Sequence, residues 1–188
     1  VAQGKEKLLA ALPDLLEDAE NGLTLSSRSL LHEMYEQWRQ ANEAIKRIEK
    51  GLKNQARSND DAQRLMRMKG VAVKIATATI AHAGNGHGYK SGRHFSANLG
   101  LVPREYSSGG QQRLGGITKR GNQYLRGLLI QGAWSVVRNV DKNDDRLSRW
   151  AKQLVERRGK QKTVVAVANK MARIMWSMLY HQTEYRAN

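Results

Sequence analysis

Apolar residues in this chain recur at spacings of three and four, and no run of four or more alternates at period two. That is the signature of helix faces rather than half-buried strands, and it predicts an all-α protein. Residues 5–20 place Leu8, Leu9, Leu12, Leu15, Leu16 and Ala19 on one side. Pro13 is positioned to kink or start that helix, and Asn21-Gly22 to end it. Ser26 or Ser27 then caps a long helix reaching about Gln55. Along it Leu31, Met34, Trp38, Ala41, Ile45, Ile48 and Leu52 make an a/d seam over roughly three heptads, the pattern of a coiled coil. Such a seam packs either on a second copy of the chain or back on residues 5–20. A protruding helical hairpin that joins homo-oligomers through the coiled coil is the reading favoured here.

The polar break Arg57-Ser58-Asn59-Asp60-Asp61 divides the sequence into residues 1–61 and residues 62–188. Residues 65–84 then predict a short helix, a turn at Lys69-Gly70 and a second helix rich in small residues. This is the outline of a helix-hairpin-helix, with Ala72 where a second hairpin glycine is usual. A small-residue helix packed closely on a neighbour fits equally, and Lys69 and Lys74 tilt the choice toward contact with a nucleic-acid backbone. His82, His87 and His94 lie among glycines with no acid or cysteine to complete a ligand set, so no metal site is expected. Further helices are expected over 91–99, with Phe95 and Leu99 inward, and over 123–140, with Leu125, Leu128, Leu129, Ala133, Val136 and Val137 buried. Another runs from Asp144 or Asp145 to Arg157 and stops at Gly159. The last, over 162–185, buries Val164, Val167, Ala168, Met171, Ile174, Met175 and Met178.

Charge changes the picture more than composition does. The chain has 188 residues, 40% of them hydrophobic, and no uninterrupted apolar run of membrane-crossing length. Zero cysteines exclude disulfides and fit a reducing cytoplasm. The formal net charge is +15, and it is unevenly placed. Residues 1–61 hold nine bases and eleven acids, whereas residues 62–188 hold twenty-three bases and six acids. The second segment is therefore expected to meet a polyanion such as DNA.

The cations gather in residues 101–129, LVPREYSSGGQQRLGGITKRGNQYLRGLL. Ser107 and Ser108 sit there among Arg104, Arg113, Lys119, Arg120 and Arg126, with Glu105 the single acid and four glycines between Gly109 and Gly116. A glycine-rich, cation-lined loop lets an anion approach the main chain. It leads into a helix whose N-cap is expected to be Asn122, with Arg126 in the first turn balanced by Glu105 or by an external anion. Ser-Ser-Gly-Gly is not a nucleophile elbow, and Gly116 stands where a P-loop would need lysine. The acids are too few for a two-metal nuclease site in this chain. Two readings of the serines stay open on residue types alone. One is a hydroxyl that attacks a phosphodiester whose oxygens the guanidiniums neutralise; the other is a pair of hydroxyls that simply hydrogen-bond the turn.

The run LGLVPREYSSGGQQRLGGITKRGNQYLRGLL, with MKGVAVKIATATI upstream and ANKMARIMWSML downstream, resembles the C-terminal domain of a family of insertion-sequence transposases. That family pairs an N-terminal RuvC-like nuclease fold with a C-terminal serine domain, and it includes bridge-RNA-guided recombinases and Piv-type DNA invertases. The resemblance covers about residues 62–182. It implies that Ser108 is the covalent nucleophile, with Ser107 as the fallback. It also implies that Arg104, Arg113, Lys119, Arg120, Asn122 and Arg126 bind scissile phosphate, DNA or a guide RNA. It places Mg2+ in a RuvC-like domain that this sequence lacks, so no cofactor is expected in the chain itself. The sequence would then be the C-terminal part of a larger protein, or a partner to a separate half. A helical DNA/RNA-binding and oligomerisation module without enzyme activity is the alternative.

Overall fold

The computed structural model describes residues 4–187. They form eight α-helices and one two-stranded antiparallel sheet among the described residues, so the all-α expectation holds apart from that hairpin. By packing, the chain divides into two units, Val1–Gly51 and Leu52–Asn188.

The first unit contains α1 (Lys5–Glu17) and most of α2 (Leu25–Arg57). Helix α1 runs through Pro13 and ends at Glu17, short of Asn21-Gly22. Asn21 does other work. Its side-chain amide donates to the carbonyl of Leu15, and its Oδ1 accepts from the amide of Leu23 and from Arg28 Nη2. Arg28 Nη1 also donates to the carbonyl of Leu16 at 2.6 Å, fastening the turn. The cap of α2 is Thr24, not Ser26 or Ser27: its hydroxyl accepts from the amide of Ser27 at 3.2 Å. No described residue of this unit is fully buried. Along α2 the a/d positions Met34, Ala41, Ile45 and Ile48 are exposed, and Leu31 and Trp38 half-buried. Met34, Ile45 and Ile48 are each more than half exposed.

The second unit is built around α8 (Lys160–His181), whose Val167, Ala168, Met171, Ala172 and Met175 are wholly buried. Against it lie α3 (Asp60–Met66), α5 (Gly92–Asn98), α6 (Gln123–Arg138) and α7 (Arg146–Arg158), with α4 (Val73–Ala83) packed on α3 and α6. Phe95 and Leu99 are buried as their spacing predicts, as are Leu125, Leu129, Ala133, Val136 and Val137 on α6. Helix α8 stops at His181 rather than 185, capped by Gln182 in the left-handed conformation. The expected cap at Asn122 is formed, Asp145 rather than Asp144 starts α7, and Ser91 caps α5; they accept from the amides of Leu125, Leu147 and His94.

The Lys69-Gly70 turn between α3 and α4 is pressed onto α6. Gly70 has φ +80°, and a Cβ there would meet the carbonyl oxygen of Gly132 at 2.6 Å. A Cβ on Gly132 would meet the carbonyl oxygen of Gly70 at 2.3 Å. Two glycines are needed for the backbones to approach this closely. His82, tested above as a metal ligand, ties three elements together. Its Nε2 lies 2.8 Å from Asn98 Oδ1, and its Nδ1 lies 3.2 Å from Asn122 Nδ2 at the start of α6.

Candidate nucleic-acid interface

The serine-bearing stretch is a β-hairpin. β1 (Pro103–Glu105) pairs with β2 (Leu114–Ile117) in the register Pro103↔Ile117 and Glu105↔Leu114, which leaves one extra residue on β2. Gly115 and Gly116 fall in that bulge. Pairing continues toward the tip: the amide of Tyr106 donates to the carbonyl of Arg113 at 2.9 Å, and Ser108 bridges Gln111. The turn itself is Gly109-Gly110, closed by the amide of Gln111 on the carbonyl of Ser108 at 3.0 Å. Both glycines have positive φ, 57° and 76°, as a two-residue type I′ hairpin loop demands.

The root is held more tightly than the tip. The amide of Thr118 donates to the carbonyl of Val102, and that of Lys119 to the carbonyl of Gly100. Backbone crosses backbone here: a Cβ on Gly100 would stand 2.2 Å from the carbonyl oxygen of Arg120, and one on Gly121 would stand 1.7 Å from that of Asn98. Lys119 adopts φ 57°, a conformation non-glycine residues seldom take. Leu101 is buried at the start of the hairpin, and Asn169 of α8 donates to its carbonyl at 3.0 Å. The core thus carries the hairpin, and its outer half stands in solvent from Pro103 to Gly116.

Both serines are exposed, and their surroundings differ. Ser107 Oγ donates to Glu105 Oε1 at 2.7 Å and accepts from the amide of Arg113 at 3.3 Å. It therefore lies on the face of the acid, two residues along the same strand. The next residue, Ser108, stands beside the turn, opposite Gln111. Ser108 Oγ has no hydrogen-bond partner among the described residues. Arg104, Tyr106, Thr118 and Arg120 line, with Glu105, a cavity of about 420 Å³ on the hairpin. Among the described residues Arg104, Arg113, Lys119 and Arg120 make no ion pair, and all four are exposed. Four guanidinium or ammonium groups without carboxylate partners on one hairpin make a strong local positive field.

The other sequence-selected residues are placed differently. Arg126 is not balanced by Glu105: its Nη1 donates to the carbonyls of Leu99 and Arg120, at 2.9 and 3.1 Å. That contact clamps the hairpin root. Asn122 is occupied as the N-cap of α6. Lys69 is tied by Nζ to Asp145 Oδ2 and Asn143 Oδ1, each at 2.7 Å. Lys74 is exposed on the first turn of α4, apart from the hairpin in sequence. The sequence reading passed over Tyr106 and Thr118, which share the cavity with Arg104 and Arg120. The Gly-Gly pair flanked by Ser108 and Gln111 was the available signal for a hairpin that would bring them together.

Asp145 is the strongly perturbed acid of this unit. Burial alone would raise its carboxyl. Hydrogen bonds from Lys69 and from the hydroxyl and amide of Ser148 outweigh that, and they lower it from 3.8 to about 2. No group of three or more His, Cys, Asp or Glu among the described residues is placed to hold a metal ion. No described helix is long and apolar enough to cross a membrane.

Fold and surface define a basic helical domain that presents a cationic β-hairpin from its core. Residues 62–149, which contain the hairpin and its root, match the family model described as Transposase IS116/IS110/IS902 family. That segment is similar to the family's domain, and the relatives that the chain matches are transposases. The chain is 40% identical over 186 residues to a transposase for insertion sequence element IS1111A of Coxiella burnetii, covering 99% of this chain and 51% of the relative. It is also 40% identical over 184 residues to a probable family 20 transposase of Pseudomonas aeruginosa, 98% of this chain and 54% of that one. The transposase for insertion sequence element IS1328 of Yersinia enterocolitica is 36% identical over 170 residues, 90% and 49% of the respective lengths. The chain therefore spans about half the length of these relatives.

Proposed function

We propose that this chain is the serine-bearing half of a DNA transposase and that Ser108 attacks a DNA phosphodiester to form a covalent phosphoserine. One observation carries the assignment to Ser108. It is the exposed hydroxyl at a hairpin tip, without a partner among the described residues, on the same hairpin as the exposed Arg104 and Arg113. In the step, the bond from Ser108 Oγ to phosphorus forms as the bond from phosphorus to one strand end breaks. The serine gives up its proton, and the leaving strand end takes one up as a hydroxyl. Exchange of one ester for another keeps the bond available for rejoining. Arg104, Arg113, Lys119 and Arg120 neutralise the non-bridging oxygens and hold the flanking backbone.

The transposase relatives support DNA as substrate, and their greater length supports a second half that completes the activity. That half is the RuvC-like domain, and any Mg2+ belongs with it. Guidance by an RNA and assembly through the α2 seam are further parts of the proposal. Ser107 carries a second reading on a specific contact: its hydroxyl already faces a carboxylate at 2.7 Å, the arrangement of a base-activated nucleophile. The same carboxylate repels an incoming phosphate, and this favours Ser108.

The test uses a polypeptide that supplies the RuvC-like half, with donor DNA and guide RNA, denatured to reveal protein–DNA adduct. Ser108→Ala is expected to lower adduct at least about 1000-fold, while Ser107→Ala and Glu105→Gln retain it. Adduct kept in Ser108→Ala and lost in both other variants would move the chemistry to Ser107. Adduct absent from every form, with DNA binding intact, would leave a binding and oligomerisation module.

A further inference from the structure

A recess of about 1160 Å³ opens on the second unit between the start of α5, the hairpin root, α7 and α8. Pro103 and Ile117 of the hairpin form one edge, and Trp150 of α7 another. Four cations converge on it: Arg93 of α5 and Lys162, Lys170 and Arg173 of α8. No acid is among the described residues that line it, and none of the four cations makes an ion pair among the described residues. Lys170 Nζ sits 3.9 Å from the centre of the Trp150 ring. Its ammonium is pushed below its ordinary value, by burial first and then by Arg146 and Arg173. Like charges crowded into a half-sheltered hollow repel one another, and an external anion relieves that repulsion. Lys162 and Arg173 lie about 16 Å apart along α8 at 1.5 Å per residue, a row rather than a point.

We propose that this recess is a second nucleic-acid seat, which holds a strand's phosphodiester backbone on Arg93, Lys162, Lys170 and Arg173 with a base against Trp150. A strand is favoured over an acidic peptide for two reasons. The recess is continuous with the hairpin through Pro103 and Ile117, so one strand lies across both. A cationic track beside an indole is also the general device for single-stranded nucleic acid. The seat goes beyond the serine reading and uses none of its residues. The two claims therefore fail separately.

The chain is titrated with single-stranded DNA and RNA of the same sequence, each about 20 nucleotides long, while tryptophan fluorescence and salt dependence are followed. Binding is expected to quench fluorescence in the native chain, and the quench is expected to vanish in Trp150→Phe. In Lys162→Gln with Arg173→Gln the slope of log affinity against log salt is expected to fall by about 1.4, at about 0.7 per contact. Far-UV circular dichroism checks that the double variant is folded, and the Trp150→Phe readout stands without it. Quenching by both strands assigns the seat to the shared backbone, and quenching by one names its source. A full quench retained in Trp150→Phe together with an unchanged slope would overturn the proposal. So would equal quenching by polyglutamate, which would give the recess to an acidic peptide.

Discussion

Asp145 shows how a single side chain can be spoken for from a distance. It caps α7 through the amides of Leu147 and Ser148, accepts the hydroxyl of Ser148, and pairs with Lys69, which lies 76 residues earlier. The carboxyl is 5% exposed and is lowered to about 2, so its charged form is favoured by folding. A depressed acid contributes stability above its unfolded value and loses it as pH falls through the folded one. About 2 kcal/mol is therefore expected to disappear between roughly pH 4 and pH 2. Urea unfolding across that range checks this, and Asp145→Asn should flatten the profile in the same window. An unaltered profile in the variant would mean that Lys69 and Ser148 do not stabilise the carboxylate. The helix start at Asp145 was legible in the sequence, but its pairing was not, because Lys69 reads there as an unattached cation beside a glycine. The same holds for Arg126, whose partners are two main-chain carbonyls that no residue pattern announces.

At the scale of elements, the helices were readable because each buries one face, and a buried face imposes a spacing of three and four. Phe95, Leu125, Met171 and Met175 are core for that reason. The hairpin was not readable in the same way: apart from Ile117 its strand residues are exposed, so no alternation of apolar and polar residues was selected. What specifies it is turn chemistry at Gly109-Gly110 and steric permission at Gly100 and Gly121, where the chain crosses itself. Gly121→Ala tests that permission. The left-handed conformation costs about 1–2 kcal/mol, and the clash with the Asn98 carbonyl adds to it. A lower melting temperature is expected, whereas Gly109→Ala, with open space around its Cβ position, should lose only the conformational part. Equal losses at the two positions would show that the root is not pinned as described.

Over the whole molecule, the charge asymmetry seen in the sequence becomes a division of labour. The cations concentrate in the second unit, on the hairpin and around the recess beside α8. The first unit offers apolar positions instead. Met34, Ile45 and Ile48 stand more than half exposed on a long helix, and an uncovered stripe of this kind favours association. Ile45→Asp with Ile48→Asp is expected to convert an oligomer into a monomer in sedimentation velocity at micromolar concentration. A native chain that is monomeric at every concentration would contradict the seam. The recess cations escaped the sequence reading because Arg93 lies far in the chain from Lys162, Lys170 and Arg173. Only the packing of α5 on α8 brings them together.

The proposed attack by Ser108 is tested most directly by locating the bond that the proposal requires. DNA trapped on the protein by the two halves acting together is trimmed with nuclease, the protein is digested, and the nucleotide-bearing peptide is sequenced by mass spectrometry. The mass addition is expected on Ser108. Its appearance on Ser107, on Tyr106 or outside the hairpin would contradict the account.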